Sequence, residues 1–272
     1  MSKLLRANFV RLKKDKVFWI GMAFMFAFGI FGVIQKCIND PTAPPDQLLF
    51  IFPVLIGIVS AAFCSLYIGT EYSDGTIRNK LIIGHKRSIV YLSNFITCSA
   101  AGILMSLSYI TAVAVLGFPL LGLPQMNAGA AIILLLTSLV MIIACTALFT
   151  LLCMLNQNKA VAAVVCILSI IVLLVLASMI KSRLDAPEFY NSYIITDSSG
   201  NTATEPVRNP LYLEGTKREV YQFFLDFLPT GQAIEISSQT TPHLWLMPLY
   251  SLFIAIASTL SGVLCFYKRD LK

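Results

Sequence analysis

AGAAIILLLTSLVMIIACTALFTLLCML, Ala128 to Leu155, carries no Asp, Glu, Lys, Arg or His. A bilayer core about 30 Å thick needs roughly 20 apolar residues in a helix, because backbone amides in lipid must be satisfied within their own segment. This stretch therefore reads as a membrane span. Working outward, five more stretches meet the same requirement: residues 17–34, 48–68, 93–116, 160–180 and 244–266. The whole chain agrees, with 57% apolar and 12% charged residues among 272. Soluble domains average about 45–50% and 25%. The fold class is an all-α integral membrane protein with six transmembrane helices in one domain, residues 1–272.

Lys and Arg near span ends are retained in the cytoplasm. With six spans both termini share a side, and placing them inside puts fourteen of the twenty basic residues in cytoplasmic pieces. Ten of the fourteen acids then fall outside. The first span is longer than a secretory h-region and no small-x-small cleavage site follows it, so it is expected to stay in the protein. The net charge of +6 does not indicate a nucleic-acid partner, since the basic residues flank apolar runs instead of lining a soluble face with aromatics. Six of seven cysteines (Cys64, Cys98, Cys145, Cys153, Cys166, Cys265) lie in apolar stretches without a Cys-x-x-Cys pair, so neither a disulfide framework nor a metal site is expected. Cys37, just past the first span, reads as a free thiol.

The connections differ in character. Residues 2–16 place Leu4, Leu5, Phe9 and Leu12 at helical spacing among Lys3, Arg6, Arg11, Lys13, Lys14 and Lys16. This is an interfacial amphipathic helix, serving as an anchor on anionic lipid, a docking surface, or both. The segment Thr70 to Arg87 holds a short helix with Ile77, Leu81 and Ile82 on one face, capped by Ser73, Asp74 or Thr76 and ended by Gly84. It is either a docking element or a solvated connection. Residues 122–127 and 156–159 are tight turns that make antiparallel hairpins of their neighbours. The outside loop 181–243 carries a hairpin, Tyr193–Thr196 with Thr202–Glu205 around Ser198-Ser199-Gly200-Asn201. After it, Val220, Phe223, Phe224 and Phe227 share a helical face ahead of the break Pro229-Thr230-Gly231-Gln232, and Ala233 to Ile236 follows. Two short helices split by Pro and Gly either dip into the membrane or lie flat on it. Small-residue pairs Gly57/Ala61, Gly102/Ser106 and Ser258/Gly262 suit close helix packing within the chain or between chains. Pro53 and Pro248 are positions for a kink.

No ionisable residue lies in a span, which argues against an ion-coupled carrier. No metalloprotease, nucleophile-elbow or P-loop motif is present, so the chain is not expected to be an enzyme or to hold ATP itself. The lack of an Asn-x-Ser/Thr sequon fits a bacterial origin.

Glu71, Gly75-Thr76, Arg78 and Arg87-Ser88-Ile89-Val90 resemble the recurring pattern of ABC type-two permeases, the membrane subunits of ATP-binding-cassette exporters. Many members carry Pro shortly before the later Arg, where this chain has Gly84-His85-Lys86. Asn209-Pro210-Leu211-Tyr212 and Phe227 to Gln232 are similar to a subset of bacterial members. The resemblance implies two permease chains, identical or related, with two cytoplasmic ABC ATPase subunits that carry ATP and Mg, in the bacterial cell membrane. It implies a coupling loop over residues 70–90, in which Glu71 and Arg78 make charged contacts, Gly75 and Thr76 set the turn and Arg87 follows. The leader with Arg6, Phe9 and Arg11 packs beside it, and the second and fifth spans line the path through Phe52, Ile56, Ser60, Val165, Ser169 and Leu173. An apolar lining suits export of a hydrophobic or amphipathic peptide, lipid or drug. The alternative is a non-transporting membrane partner, such as an assembly or immunity subunit.

Overall fold

A computed structural model describes residues 1–40, 44–196 and 202–269, with side chains omitted for 190–205. In chain order the elements are α1 (Ser2–Lys14), α2 (Lys16–Asn39), α3 (Asp46–Leu49), α4 (Phe52–Ser73), α5 (Thr76–Ile82), α6 (Arg87–Ala112), α7 (Phe118–Leu121), α8 (Ala128–Leu155), α9 (Lys159–Leu184), β1 (Phe189–Thr196), β2 (Thr202–Arg208), α10 (Gly215–Phe227), α11 (Pro229–Ser238) and α12 (Leu246–Lys268). Among the described residues, six helical stretches are long and apolar enough to cross a membrane: 16–39, 46–73, 87–121, 128–155, 159–184 and 246–268. The protein is an all-α membrane protein, and its β-structure among the described residues is one two-stranded ribbon.

Local chemistry fixes the helix starts. Asp15 Oδ1 accepts from the N–H groups of Val17 (2.8 Å) and Phe18 (3.2 Å), which would otherwise be orphaned at the start of α2. Asn158 does the same for Ala160 and Val161 at the start of α9. Pro53 and Pro248 both fall in the first turn of their helices, where a missing N–H costs no bond, so neither kinks its span. Pro119 acts differently. Its ring cannot follow a regular α-turn, and residues Val113–Gly117 open into a π-helical turn between α6 and α7.

α4 and α8 form the centre of the bundle. α2, α9 and α12 turn apolar side chains outward, including Phe31, Val172 and Leu260, as lipid-facing helices do. The small-residue pairs serve packing inside the chain. Gly102 of α6 sits against Ile142 of α8 and Ser60 of α4, Gly57 of α4 receives Ile170 of α9, and Gly262 of α12 lies under the Tyr91 hydroxyl of α6. The seven cysteines are free thiols, with Cys153 Sγ and Cys166 Sγ in contact at 3.4 Å.

We call the end of the bundle that bears α1 and α5 the leader end, and its opposite the far end. At the far end the ribbon pairs Phe189 with Arg208 through Thr196 with Thr202, longer than the expected 193–196 and 202–205. The turn 198–201 lies outside the described residues.

Candidate functional site

At the leader end the amphipathic stripe of α1 contains a polar member. Leu4, Asn8 and Leu12 are buried at four-residue spacing, and Arg11 lies beside them. Their neighbours come from three other elements. Tyr67 and Glu71, one turn apart on α4, face α1, while Lys80 enters from α5 and Ser93 and Asn94 from α6. Asn8 Nδ2 donates to Asn94 Oδ1 at 2.9 Å and to Ser93 Oγ at 3.3 Å. Tyr67 Oη donates to the Asn8 carbonyl at 3.0 Å. Lys80 Nζ donates to Asn8 Oδ1 at 3.1 Å.

Glu71 is the hub. Its side chain has no exposed area, yet its carboxylate meets Arg11 Nη1 at 2.6 Å, accepts from Lys80 Nζ, and accepts from Asn94 Nδ2 at 2.8 Å. Arg11 also donates from Nη2 to the Tyr67 carbonyl at 2.7 Å, and its guanidinium stands 4.2 Å from the Tyr67 ring centre. A buried carboxylate persists only when its lost hydration is replaced, and here two cations and an amide replace it. α1, α4, α5 and α6 are thereby tied at a single atom group.

The residues expected from the sequence divide around this hub. Glu71 is buried among its own chain's residues, and its partners are Arg11 and Lys80 where Arg78 had been expected to share the work. Arg78 is exposed and makes no hydrogen bond or ion pair with another described residue. Gly75 sets the turn with φ 65°, a conformation that costs glycine little, and Thr76 opens α5 without a side-chain cap. Ile77 is buried and Leu81 half-buried, but Ile82 is exposed, because 77 and 81 are one helical turn apart while 82 has rotated away. Arg87 does not reach the hub. Its Nη1 donates to the carbonyls of Phe266 (3.0 Å), Tyr267 (3.2 Å) and Arg269, capping the C-terminal end of α12. Arg6 is exposed and Phe9 half-buried. Of the expected path residues, Phe52, Ile56 and Ser60 are buried inside the chain, with Phe52 against Tyr109. Fully enclosed, they present no free lining in this arrangement. Val165, Ser169 and Leu173 are half-buried on α9.

Asn8, Tyr67, Lys80 and Asn94 were missed. Asn8 had a signal: it stands one turn from both Leu4 and Leu12 on the same stripe. Lys80 had none, because a lysine on a short helix reads as solvated until the helix is placed.

A family model described as "ABC-2 family transporter protein" matches residues 4–177. The chain belongs to the ABC-2 transporter family. No curated protein compared with it matches. It is therefore an ABC transporter permease, a multi-pass membrane subunit that is not itself the ATPase, and the family associates with ABC ATPase subunits.

The permease has a second polar centre at the far end, beyond the matched residues. Thr230 Oγ1 donates to the Leu173 carbonyl at 3.0 Å. At 1.5 Å per residue Leu173 lies about 21 Å along α9 from Lys159 and about 16 Å from Leu184, so the start of α11 reaches the middle of the bundle. α11 is buried along most of its length, whereas α10 leaves Val220, Phe223 and Phe224 exposed. α11 packs into the bundle, and α10 shows its apolar face outward. Gly231 permits the fold-back, because a Cβ there would stand 2.1 Å from the Leu225 carbonyl oxygen. Gln232 pins it, donating to the carbonyls of Asp226 (2.8 Å) and Met247 (3.0 Å) while accepting from Ser251 Oγ (2.7 Å). Beside this, Gln222 Nε2 donates to Asp226 Oδ1 (2.7 Å) and Glu235 Oε1 (2.8 Å), and His243 Nδ1 pairs with Asp226 Oδ2 (2.8 Å). Burial pushes the Glu235 carboxyl up to about 8; Asp226 adds to the rise, while Gln222 and Lys181 pull the other way.

Proposed function

We propose that this ABC-2 permease is the membrane half of an ATP-driven exporter in the bacterial cell membrane. Its leader end faces the cytoplasm, and α5 seats on a separate ABC ATPase subunit. The observation that carries this reading is the Glu71 hub. It fastens α5 to α1, α4 and α6 through buried charge, so a displacement of α5 must be passed to the spans. The outer face of α5 and the turn after it leave Arg78, Asn79, Ile82 and Ile83 exposed, a mixed basic and apolar tip free to meet a partner. The excess of Lys and Arg in the leader-end connections supports the orientation.

The complex consists of two permease chains, identical or related, and two ATPase subunits holding ATP and Mg, while this chain binds no cofactor. The apolar character of α9, including Val165 and Leu173, favours a hydrophobic or amphipathic cargo such as a peptide, lipid or drug.

Affinity purification in mild detergent from the native membrane, with mass spectrometry and an ATPase assay on the eluate, tests the reading. A Walker-motif protein is expected to co-purify and hydrolyse ATP, and Arg78→Ala combined with Ile82→Asp is expected to reduce both recovery and turnover. If the intact chain emerges without a nucleotide-binding partner, the non-transporting alternative takes its place.

A further inference from the structure

Glu235 belongs to α11 and is 1% exposed; Asp226 lies in the last turn of α10 and is 3% exposed. Gln222 Nε2 donates to both carboxyls, to Asp226 Oδ1 at 2.7 Å and to Glu235 Oε1 at 2.8 Å, and so holds the two acids side by side. Glu235 Oε1 accepts from Gln222, but Glu235 Oε2 is buried and accepts from no donor among the described residues. Glu235 is among the residues around a cleft of about 760 Å³ at the far end, walled by Phe223, Leu246 and Tyr250. Two ionised carboxylates this close and this dry repel each other, and a buried acceptor without a donor costs the full desolvation of that oxygen. One added proton removes both penalties: it neutralises one acid and supplies the missing donor.

We propose that Asp226 and Glu235 form a proton-binding site that latches the α10–α11 hairpin against α9 and the start of α12. The bound proton bridges the last turn of α10 to α11, so its loss sets like charges against each other across the fold-back and loosens the hairpin. The charged and titratable surroundings are few. α9 brings Lys181 and Asp185, α10 adds Arg218 and Glu219, the loop before α12 brings His243, and α12 contributes Tyr250. α8 carries no charged residue, and the single acid of α4, Glu71, is at the leader end. Asp46 of α3 is taken up by the N–H groups of Gln125 and Met126. His243 faces Asp226 from the exposed side, and Lys181 ion-pairs with Asp185 at 3.2 Å. Burial holds the Glu235 carboxyl protonated across neutral pH, so release is expected on the alkaline side.

Trp245 stands two residues after His243 and, with Trp19, makes the chain's two tryptophans. In a Trp19→Phe chain, purified whole in detergent, Trp245 is the single tryptophan and sits at the start of α12, against which the hairpin is latched. Its emission is expected to shift in one single-proton step centred near pH 8 between pH 6 and 9.5. Adding Glu235→Gln, which keeps a donor without a titrating proton, is expected to abolish the step while leaving the pH 6 spectrum and elution profile unchanged. Adding His243→Gln is expected to retain it. Should Glu235→Gln fail to fold, Asp226→Asn serves as the second variant and is expected to remove the step as well. The proposal falls if Trp245 shows no step, if the step survives both acid substitutions, or if His243→Gln alone removes it.

Discussion

Glu71→Gln isolates the hub's charge. The substitution keeps the side chain's volume and one carbonyl-type acceptor but deletes the anion, leaving Lys80 and Arg11 facing each other. Their side chains are 12% and 28% exposed, so each recovers only part of its hydration. Breaking a buried ion pair on one side costs about 3–5 kcal/mol. Because both cations can lean toward solvent, the lower end applies, about 3 kcal/mol. A chain of this size moves roughly 2–4 °C in Tm per kcal/mol, which gives a fall on the order of 10 °C. The chain carries its own probe, since Cys64, Cys98, Cys145, Cys153 and Cys166 are buried free thiols that a thiol-reactive fluorophore reaches only on unfolding. The same physics requires non-additivity. Adding Lys80→Met to Glu71→Gln should recover part of the loss, because it removes a cation that the first change stranded. A Tm within about 2 °C of the parent for Glu71→Gln, or strictly additive losses in the double variant, would refute the assignment of a buried charged hub.

Three further outcomes are expected. Gly231→Ala must push a methyl group into the Leu225 carbonyl oxygen, so the α10–α11 hairpin should become susceptible to limited proteolysis near residues 225–232 while the leader end keeps its amide-exchange protection. Arg87→Ala removes the donor shared by the Phe266, Tyr267 and Arg269 carbonyls, and amide exchange of the last turn of α12 should quicken by about 5–10-fold, from the loss of about 1 kcal/mol of capping. Because the Glu235 pKa is raised on folding, the folded chain binds more protons than the unfolded chain between the ordinary carboxylate range and about pH 8. Stability should therefore decline as pH rises across that window, as followed by thermal unfolding, and the slope should flatten in Glu235→Gln.

The charge-free runs and the position of Lys and Arg were enough to read six crossings, a leading amphipathic helix and the short helix after the second span. Each depends on local composition: a segment in lipid must satisfy its own backbone, and a cap must lie within a few residues of the amide it serves. The Glu71, Gly75-Thr76 and Arg78 pattern likewise placed the chain close to its family, which the match over residues 4–177 establishes.

What the side chains do there was not local. Arg11, Glu71, Lys80 and Asn94 meet only because α1 and α5 fold over the ends of α4 and α6, and Arg87 finds its partners at residues 266–269, across the length of the chain. The apolar runs reveal that Phe52, Ile56 and Ser60 share a helix but not which neighbour covers them. Asp226 and Glu235 were not singled out, because the break at Pro229 and Gly231 left both a fold-back and a flat pair of helices open, and only the packing of α11 decides which acids it buries. Hydropathy is a property of segments and could be read along the chain; the pairing of a buried charge belongs to the space between segments, and there tertiary structure alone decides.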